Sequence, residues 1–137
     1  MNIYFLSVND IIAIHNVQIK RYGGLAGIRD LKLLESACFS VQASWDGKFL
    51  HSDIASMAGA YAYGIIKNHP FLDGNKRTGI LSSLLFLDIN DYGIKMTLKE
   101  YYLLPLEIAK SKMTLDEVIN FFRVRLNSNI AKEEAEY

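Results

Sequence analysis

One stretch of ten residues, 69–78, holds most of the side chains in this sequence that could do chemistry. It reads His-Pro-Phe-Leu-Asp-Gly-Asn-Lys-Arg-Thr. The residue before a proline is disfavoured in α-helical geometry, so a preceding helix should end at His69 and display its imidazole. An imidazole titrates near neutral pH and can therefore accept a proton from a hydroxyl group. His69 is the candidate general base.

The same stretch predicts an anion site where the next helix begins. Gly74 permits a tight turn, and Asn75, Lys76 and Arg77 would occupy the first helical turn, where unpaired amide N–H groups and the positive end of the helix dipole point outward. Two cations in a first turn oppose the dipole, so a bound phosphate explains them better than folding does. Asp73 is a hard oxygen ligand suited to Mg²⁺. Each residue alone is also typical of a surface turn, but the combination favours phosphate-ester chemistry.

Composition excludes several classes of protein. The chain has 137 residues, half of them hydrophobic, with 15 Lys and Arg against 15 Asp and Glu. This zero net charge argues against a protein that binds nucleic acid directly. The single cysteine, Cys38, excludes an intrachain disulfide and a cysteine-based metal cluster. No signal peptide and no membrane-length apolar run is evident, so we expect a cytoplasmic protein that does not bind membranes.

Apolar residues recur at helical spacing along most of the chain, which predicts an all-α, compact, single-domain helical bundle. Residues that commonly cap helix N-termini mark where most of the helices should begin. These candidate caps are Ser7, Asp30, Ser52, Thr97 and Thr114. A further helix should run from Gly74 or Asn75 to about Ile89, and its apolar residues surround nearly its whole circumference, so we expect it to be the central, buried helix. The domain should span residues 1–126, followed by a frayed polar tail, 127–137.

One segment departs from the helical pattern. Residues 44–49 read Ser-Trp-Asp-Gly-Lys-Phe, and an Asp-Gly pair between aromatic residues favours the type I′ turn of a two-residue β-hairpin. Because an isolated hairpin is only marginally stable in water, it would have to pack against the helices. One strand edge would then stay open and could accept an extended peptide. A surface loop between two helices is the alternative, and the residues alone favour neither.

The two histidines outside the 69–78 stretch carry less information. His15 lies beside Ile14 on the first predicted helix, and we expect it to be a partly exposed helix residue. His51 follows the possible hairpin and is most simply a loop residue.

The segment HPFLDGNKRTG resembles the active-site motif of the Fic/Doc family, H-P-F-x-[D/E]-G-N-[G/K]-R, at every fixed position. Upstream, Arg21 to Gly24 followed by Gly27, and Leu33 to Ser36, resemble the death-on-curing (Doc) branch of that family. The resemblance covers roughly Ser7 to Leu126. It implies a compact all-α fold in which the motif loop and the helix after it bind the phosphates of a nucleotide.

The resemblance also implies roles for individual residues. His69 matches the general base that deprotonates a target hydroxyl, Asp73 matches the acidic residue that orients Mg²⁺, and Asn75 and Arg77 match phosphate-binding positions. A hairpin flap that holds the target polypeptide matches Trp45, Asp46, Gly47, Lys48 and Phe49. The co-substrate would be ATP or another nucleoside triphosphate.

Two departures bear on the reaction. Family members that transfer AMP typically have glycine where this chain has Lys76, and a second arginine where it has Ile80. The lysine form without the second arginine resembles the Doc branch, which transfers the γ-phosphate to a protein hydroxyl. Its target is translation elongation factor Tu. AMP transfer and a catalytically silent nucleotide-binding module are the alternatives.

Members of the Doc branch are toxins of toxin–antitoxin pairs. The resemblance therefore implies a small antitoxin partner that inserts a C-terminal helix into a groove on this chain. We find no sequence typical of the built-in inhibitory helix that larger family members carry.

Overall fold

Six α-helices and one two-stranded sheet form the part of the chain that the computed structural model describes, residues 2–127. In chain order these are α1 (Val8–Tyr22), α2 (Leu31–Phe39), β1 (Ser44–Trp45), β2 (Lys48–Phe49), α3 (Ile54–Asn68), α4 (Asn75–Ile89), α5 (Leu98–Ala109) and α6 (Leu115–Asn127), with a short 3₁₀ turn at Ser40–Gln42. The predicted all-α class is confirmed. The predicted frayed tail lies outside the described residues except for Asn127, which ends α6. None of the described helices is long and apolar enough to cross a bilayer.

Local capping chemistry sets most helix starts. Ser7 caps α1 and Thr97 caps α5, each in a reciprocal capping box, as predicted. The start of α3 differs from the prediction by one residue, because Asp53 rather than Ser52 is the cap. The Asp53 Oδ1 accepts the Ser56 N–H at 2.8 Å, and the Ser56 Oγ accepts the Asp53 N–H at 3.2 Å. The reciprocal partner three residues on therefore decides which of two adjacent candidates caps the helix.

The central helix is α3, so the prediction that α4 occupies the centre is wrong. Eleven of the fifteen α3 residues are buried, and α3 packs against α2, α4, α5 and α6. Small residues explain this position, since Gly59 of α3 lies directly against Ile119 of α6 and leaves no room for a Cβ. By contrast, α4 leaves Leu85 38% exposed at the surface. A helix that is apolar on all sides thus still has one face in solvent.

Residues 44–49 form the hairpin rather than the alternative loop. Ser44 pairs with Phe49 and Trp45 with Lys48 in antiparallel register. Asp46 and Gly47 have φ values of 53° and 75°, the left-handed pair that a type I′ turn requires. The Phe49 ring contacts Phe5 edge-on, with centroids 5.4 Å apart, which anchors one strand on the body of the protein.

Candidate active site

The candidate base stands at the end of α3. The helix stops at Asn68, and His69 adopts a left-handed backbone with φ 50° and ψ 54° before Pro70. This conformation costs a non-glycine residue roughly 1–2 kcal/mol, so the surroundings must hold it in place. The His69 side chain is exposed, as the proline in the sequence predicts.

Asn75 is buried, and its side chain hydrogen-bonds to the backbone of the motif loop, residues 69–74. Its Oδ1 accepts the Phe71 N–H at 2.9 Å, and its Nδ2 donates to the Phe71 carbonyl at 2.9 Å. The same Nδ2 lies 3.1 Å from Nδ1 of His69. The side chain that we predicted to contact phosphate is therefore engaged within the loop, and what Asn75 can offer an anion is its backbone N–H in the first turn of α4.

The start of α4 has the features predicted for an anion site. Gly74 is the N-cap, with φ 78° and no side chain to cap the first turn, so the amide donors face outward. Lys76 and Arg77 are exposed. The guanidinium carbon of Arg77 lies 4.6 Å from the centroid of the Tyr22 ring, which holds this cation beside the helix start. Lys76 makes no ion pair within the described residues.

Asp73 is the acidic residue of the site. It is exposed, and its Oδ2 accepts the Leu25 N–H at 2.8 Å. Across residues 2–126 no cluster of three or more His, Cys, Asp or Glu side chains could hold a metal ion without other ligands. A single carboxylate beside an anion site suits Mg²⁺, which commonly takes one or two protein carboxylates and fills its shell with phosphate oxygens and water. The residues therefore fit a Mg²⁺ ion that arrives with a nucleotide.

Sequence reasoning missed two residues that support the loop, and His15 is the first. It is 1% exposed, and its ring stacks on Phe71 with centroids 3.8 Å apart and planes 5° from parallel. Its Nε2 lies 2.8 Å from the Asp73 carbonyl oxygen. The expectation of a partly exposed residue is therefore wrong. The signal was present, because Ile11, His15 and Gln18 follow the spacing of one helix face and are the buried residues of α1.

Arg29, in the connection between α1 and α2, is the second missed residue. Its Nε donates to the His69 carbonyl at 2.6 Å and its Nη2 to the Asn68 carbonyl at 3.0 Å. About forty residues separate these partners along the chain, so no local pattern predicts the contact.

The hairpin residues stand apart from this network. Hydrogen bonds join His69, Phe71, Asp73 and Asn75 to one another or to His15, whereas residues 45–49 share no hydrogen bond with the motif loop across the described chain. Trp45 is 79% exposed. The contribution of the hairpin to the site stays a prediction.

Comparisons with known proteins found a family model and two relatives that match this chain. The sequence model of the Fic/DOC family matches residues 5–87, more than half of the chain. The chain is 36% identical over 85 residues to "Protein kinase doc" of Escherichia phage P1, covering 62% of this chain and 67% of that protein. It is 35% identical over 69 residues to "Toxin Doc" of Mycolicibacterium smegmatis, covering 50% of this chain and only 53% of that protein. The chain belongs to the Fic/DOC family.

Proposed function

We propose that this protein is a Doc-type toxin that transfers the γ-phosphate of a nucleoside triphosphate, ATP or another, to a hydroxyl side chain of a protein. Translation elongation factor Tu is the candidate target, and its modification would arrest translation. The names of the two relatives, a protein kinase and a toxin, support this choice. A small antitoxin, docking a C-terminal helix, would keep the protein inactive in the cytoplasm.

Burial of Ile80 is the observation that favours phosphate transfer over AMP transfer. Ile80 is 1% exposed and belongs to the hydrophobic core. Family members that transfer AMP have a second arginine at this position, which holds the γ-phosphate so that the α-phosphorus faces the target. Here the position lies inside the protein and carries no charge, so the cations that α4 offers a nucleotide are Lys76 and Arg77.

His69 would accept the proton of the target hydroxyl at Nδ1. Because the amide nitrogen of Asn75 can only donate, Nδ1 is the ring atom with the lone pair. At 3.1 Å the Asn75 contact is an ordinary hydrogen bond, so the target hydroxyl would have to displace the amide from Nδ1. The hydroxyl oxygen then bonds to the γ-phosphorus, the bond from that phosphorus to the β,γ-bridging oxygen breaks, and the nucleoside diphosphate leaves.

The remaining residues would bind the nucleotide. Lys76, Arg77 and the first amide groups of α4 would neutralise and orient the phosphates, in the way that helix N-termini commonly bind anions. Asp73 would hold a Mg²⁺ ion bound with the phosphates, which would neutralise part of their charge. The exposed hairpin would pair with an extended segment of the target.

Isotopic labelling tests this proposal. The purified protein is incubated with Mg²⁺, elongation factor Tu or a bacterial lysate, and ATP labelled at either the α or the γ phosphorus. We expect label from the γ position alone on one protein, lost in His69→Ala and kept in the surface variant Lys112→Ala. Label from the α position would show AMP transfer instead. No label from either position, with nucleotide still bound, would favour the silent binding module.

A further inference from the structure

The connection between α1 and α2 runs alongside the motif loop and is bonded to it repeatedly. We call residues 24–30 the strap. The Leu72 N–H donates to the Gly27 carbonyl at 3.1 Å, and the Arg29 and Asp30 N–H groups both donate to the Pro70 carbonyl, at 2.7 and 3.0 Å. Ile28 and Phe71 form an antiparallel bridge. The strap therefore determines the path of the backbone on both sides of Phe71.

The Arg29 side chain connects the strap to the candidate base, His69. It donates to the last carbonyl of α3, that of Asn68, and to the carbonyl of His69. Those carbonyls are among the ones that have no partner at a helix C-terminus, where a cation also favours the dipole. Neither ion pair in the described part of the chain involves Arg29. Its guanidinium is thus directed at these two carbonyls.

The contact matters because His69 is held in a strained conformation. The left-handed backbone of His69 fixes where its imidazole lies, and a guanidinium that binds both flanking carbonyls opposes rotation of that backbone. A lysine ammonium has enough donors for two carbonyls but lacks the rigid, planar fork of a guanidinium.

We propose that Arg29 is a positioning residue, which holds the His69 backbone in the geometry that places the imidazole for proton transfer. This rests on the proposed function of His69 as the base. Arg29 shares no hydrogen bond or ion pair with the predicted phosphate-binding residues, so its loss should impair the chemical step and leave nucleotide binding intact.

The test measures kcat and the KM for ATP in Arg29→Ala, Arg29→Gln and Arg29→Lys. We expect kcat to fall on the order of 10- to 100-fold in the first two variants, the cost of a slightly misplaced catalytic group. The KM for ATP should stay within about twofold of the parent value. Arg29→Lys should lie between, and it keeps the comparison possible if the alanine variant does not fold.

Arg123→Ala is the matched control. Arg123 binds Asp53 at the opposite end of α3, so its loss loosens the same helix without touching His69. We expect its kcat to stay close to the parent value. If Arg29→Ala keeps full kcat, or if Arg123→Ala loses as much, the positioning role is wrong.

A second readout separates this proposal from the proposed reaction. NMR signals of the His69 ring, recorded without nucleotide, should shift in the Arg29 variants and stay unchanged in Arg123→Ala. If the parent protein transfers no phosphate, the proposed function fails, and these ring signals still decide the role of Arg29. Unchanged ring signals in the Arg29 variants would overturn it.

Discussion

The hydrogen bonds of His15 and His69 indicate which ring nitrogen carries the hydrogen in each neutral imidazole. A carbonyl oxygen can only accept, so Nε2 of His15 must carry the hydrogen that bonds to the Asp73 carbonyl. An amide nitrogen can only donate, so Nδ1 of His69 must be the acceptor opposite Asn75. The amide is oriented by its Oδ1, which accepts the Phe71 N–H. Neutral His15 and His69 therefore both carry their hydrogen on Nε2.

These assignments can be checked directly by ¹⁵N NMR of the histidine side chains in their neutral form. The chain has three histidines, so the spectrum is small and variants assign it. We expect His15 and His69 each to show a protonated Nε2 and an unprotonated Nδ1. A spectrum in which His69 carries its hydrogen on Nδ1 would contradict the Asn75 contact and move the base to Nε2.

His15 supports the motif loop by a ring stack on Phe71 and a hydrogen bond to the Asp73 carbonyl, and two substitutions can distinguish their contributions. His15→Phe keeps a ring against Phe71 but leaves the Asp73 carbonyl without its donor, whereas His15→Gln keeps a donor and removes the ring. We expect His15→Phe to lose about 0.5–1.5 kcal/mol in the free energy of unfolding, the usual net contribution of one hydrogen bond, because the contact is only partly buried. Urea unfolding measures both variants. A His15→Phe protein as stable as the parent would show that the hydrogen bond contributes nothing.

At the scale of elements, a single substitution in the hairpin turn can test whether the hairpin holds the protein target. Gly47 has a φ of 75°, and apart from its two chain neighbours no residue lies within 4 Å of the place where a Cβ would stand. Gly47→Ala would therefore strain the backbone without a steric clash. We expect the KM for the protein target to rise several-fold and the KM for ATP to stay the same, as steady-state kinetics would measure.

Gly23→Ala is the control for this substitution. Gly23 also has a positive φ, of 82°, with open space around it, and it ends α1 rather than forming the hairpin. It should lose at least as much stability, because φ 82° with ψ −177° is a conformation that essentially only glycine adopts, with no change in the KM for the target. Equal target KM values for Gly47→Ala and the parent protein would argue against a role for the hairpin in holding the target.

Whether a feature could be predicted from the sequence depended on how far apart along the chain the interacting residues lie. Helix starts at Ser7 and Thr97 were predictable because a capping box involves residues three apart. The Asp46-Gly47 pair favoured a type I′ turn because backbone preference is local, but the residues alone left the hairpin and a surface loop equally open. The contacts of Arg29 with His69 were not predictable, since they depend on how the chain folds back over about forty residues. The candidate site residues could thus be proposed from the sequence, whereas most of the contacts that hold them in place could not.

For the whole molecule, the central position of α3 reflects both its composition, which is more apolar overall than that of α4, and the small size of many of its residues. Its alanines and glycines let neighbouring helices approach closely, as Gly59 does for Ile119. The small, mildly apolar residues of α3 therefore place it at the centre, although α4 has more large apolar side chains. The same helix carries the candidate site at its C-terminal end and a surface ion pair, Asp53 with Arg123, at its N-terminal end.

That ion pair links α3 to α6 and should make stability depend on pH. Burial raises the pKa of the Asp53 carboxyl, but hydrogen bonds from Arg123 and Ser56 outweigh it and hold the pKa at about 2, below an ordinary value of 3.8. A depressed pKa means that the carboxylate stabilises the fold in full above the unfolded value and loses this effect as the pH falls through the folded value. The contribution should therefore vanish between about pH 4 and pH 2.

Asp53→Asn isolates this effect, because asparagine still caps the helix but cannot be charged. Near neutral pH we expect the parent protein to be more stable than Asp53→Asn by about 0.5–1 kcal/mol, a modest value because both side chains of the pair are nearly half exposed. Thermal unfolding at a series of pH values should show this difference shrinking to nothing towards pH 2. Glu100 also has a pKa held at about 2, by hydrogen bonds from Arg125 and Thr97, but it is present in both proteins and cancels in the comparison. A difference that persists unchanged in acid would mean that Asp53 acts through its shape rather than through its charge.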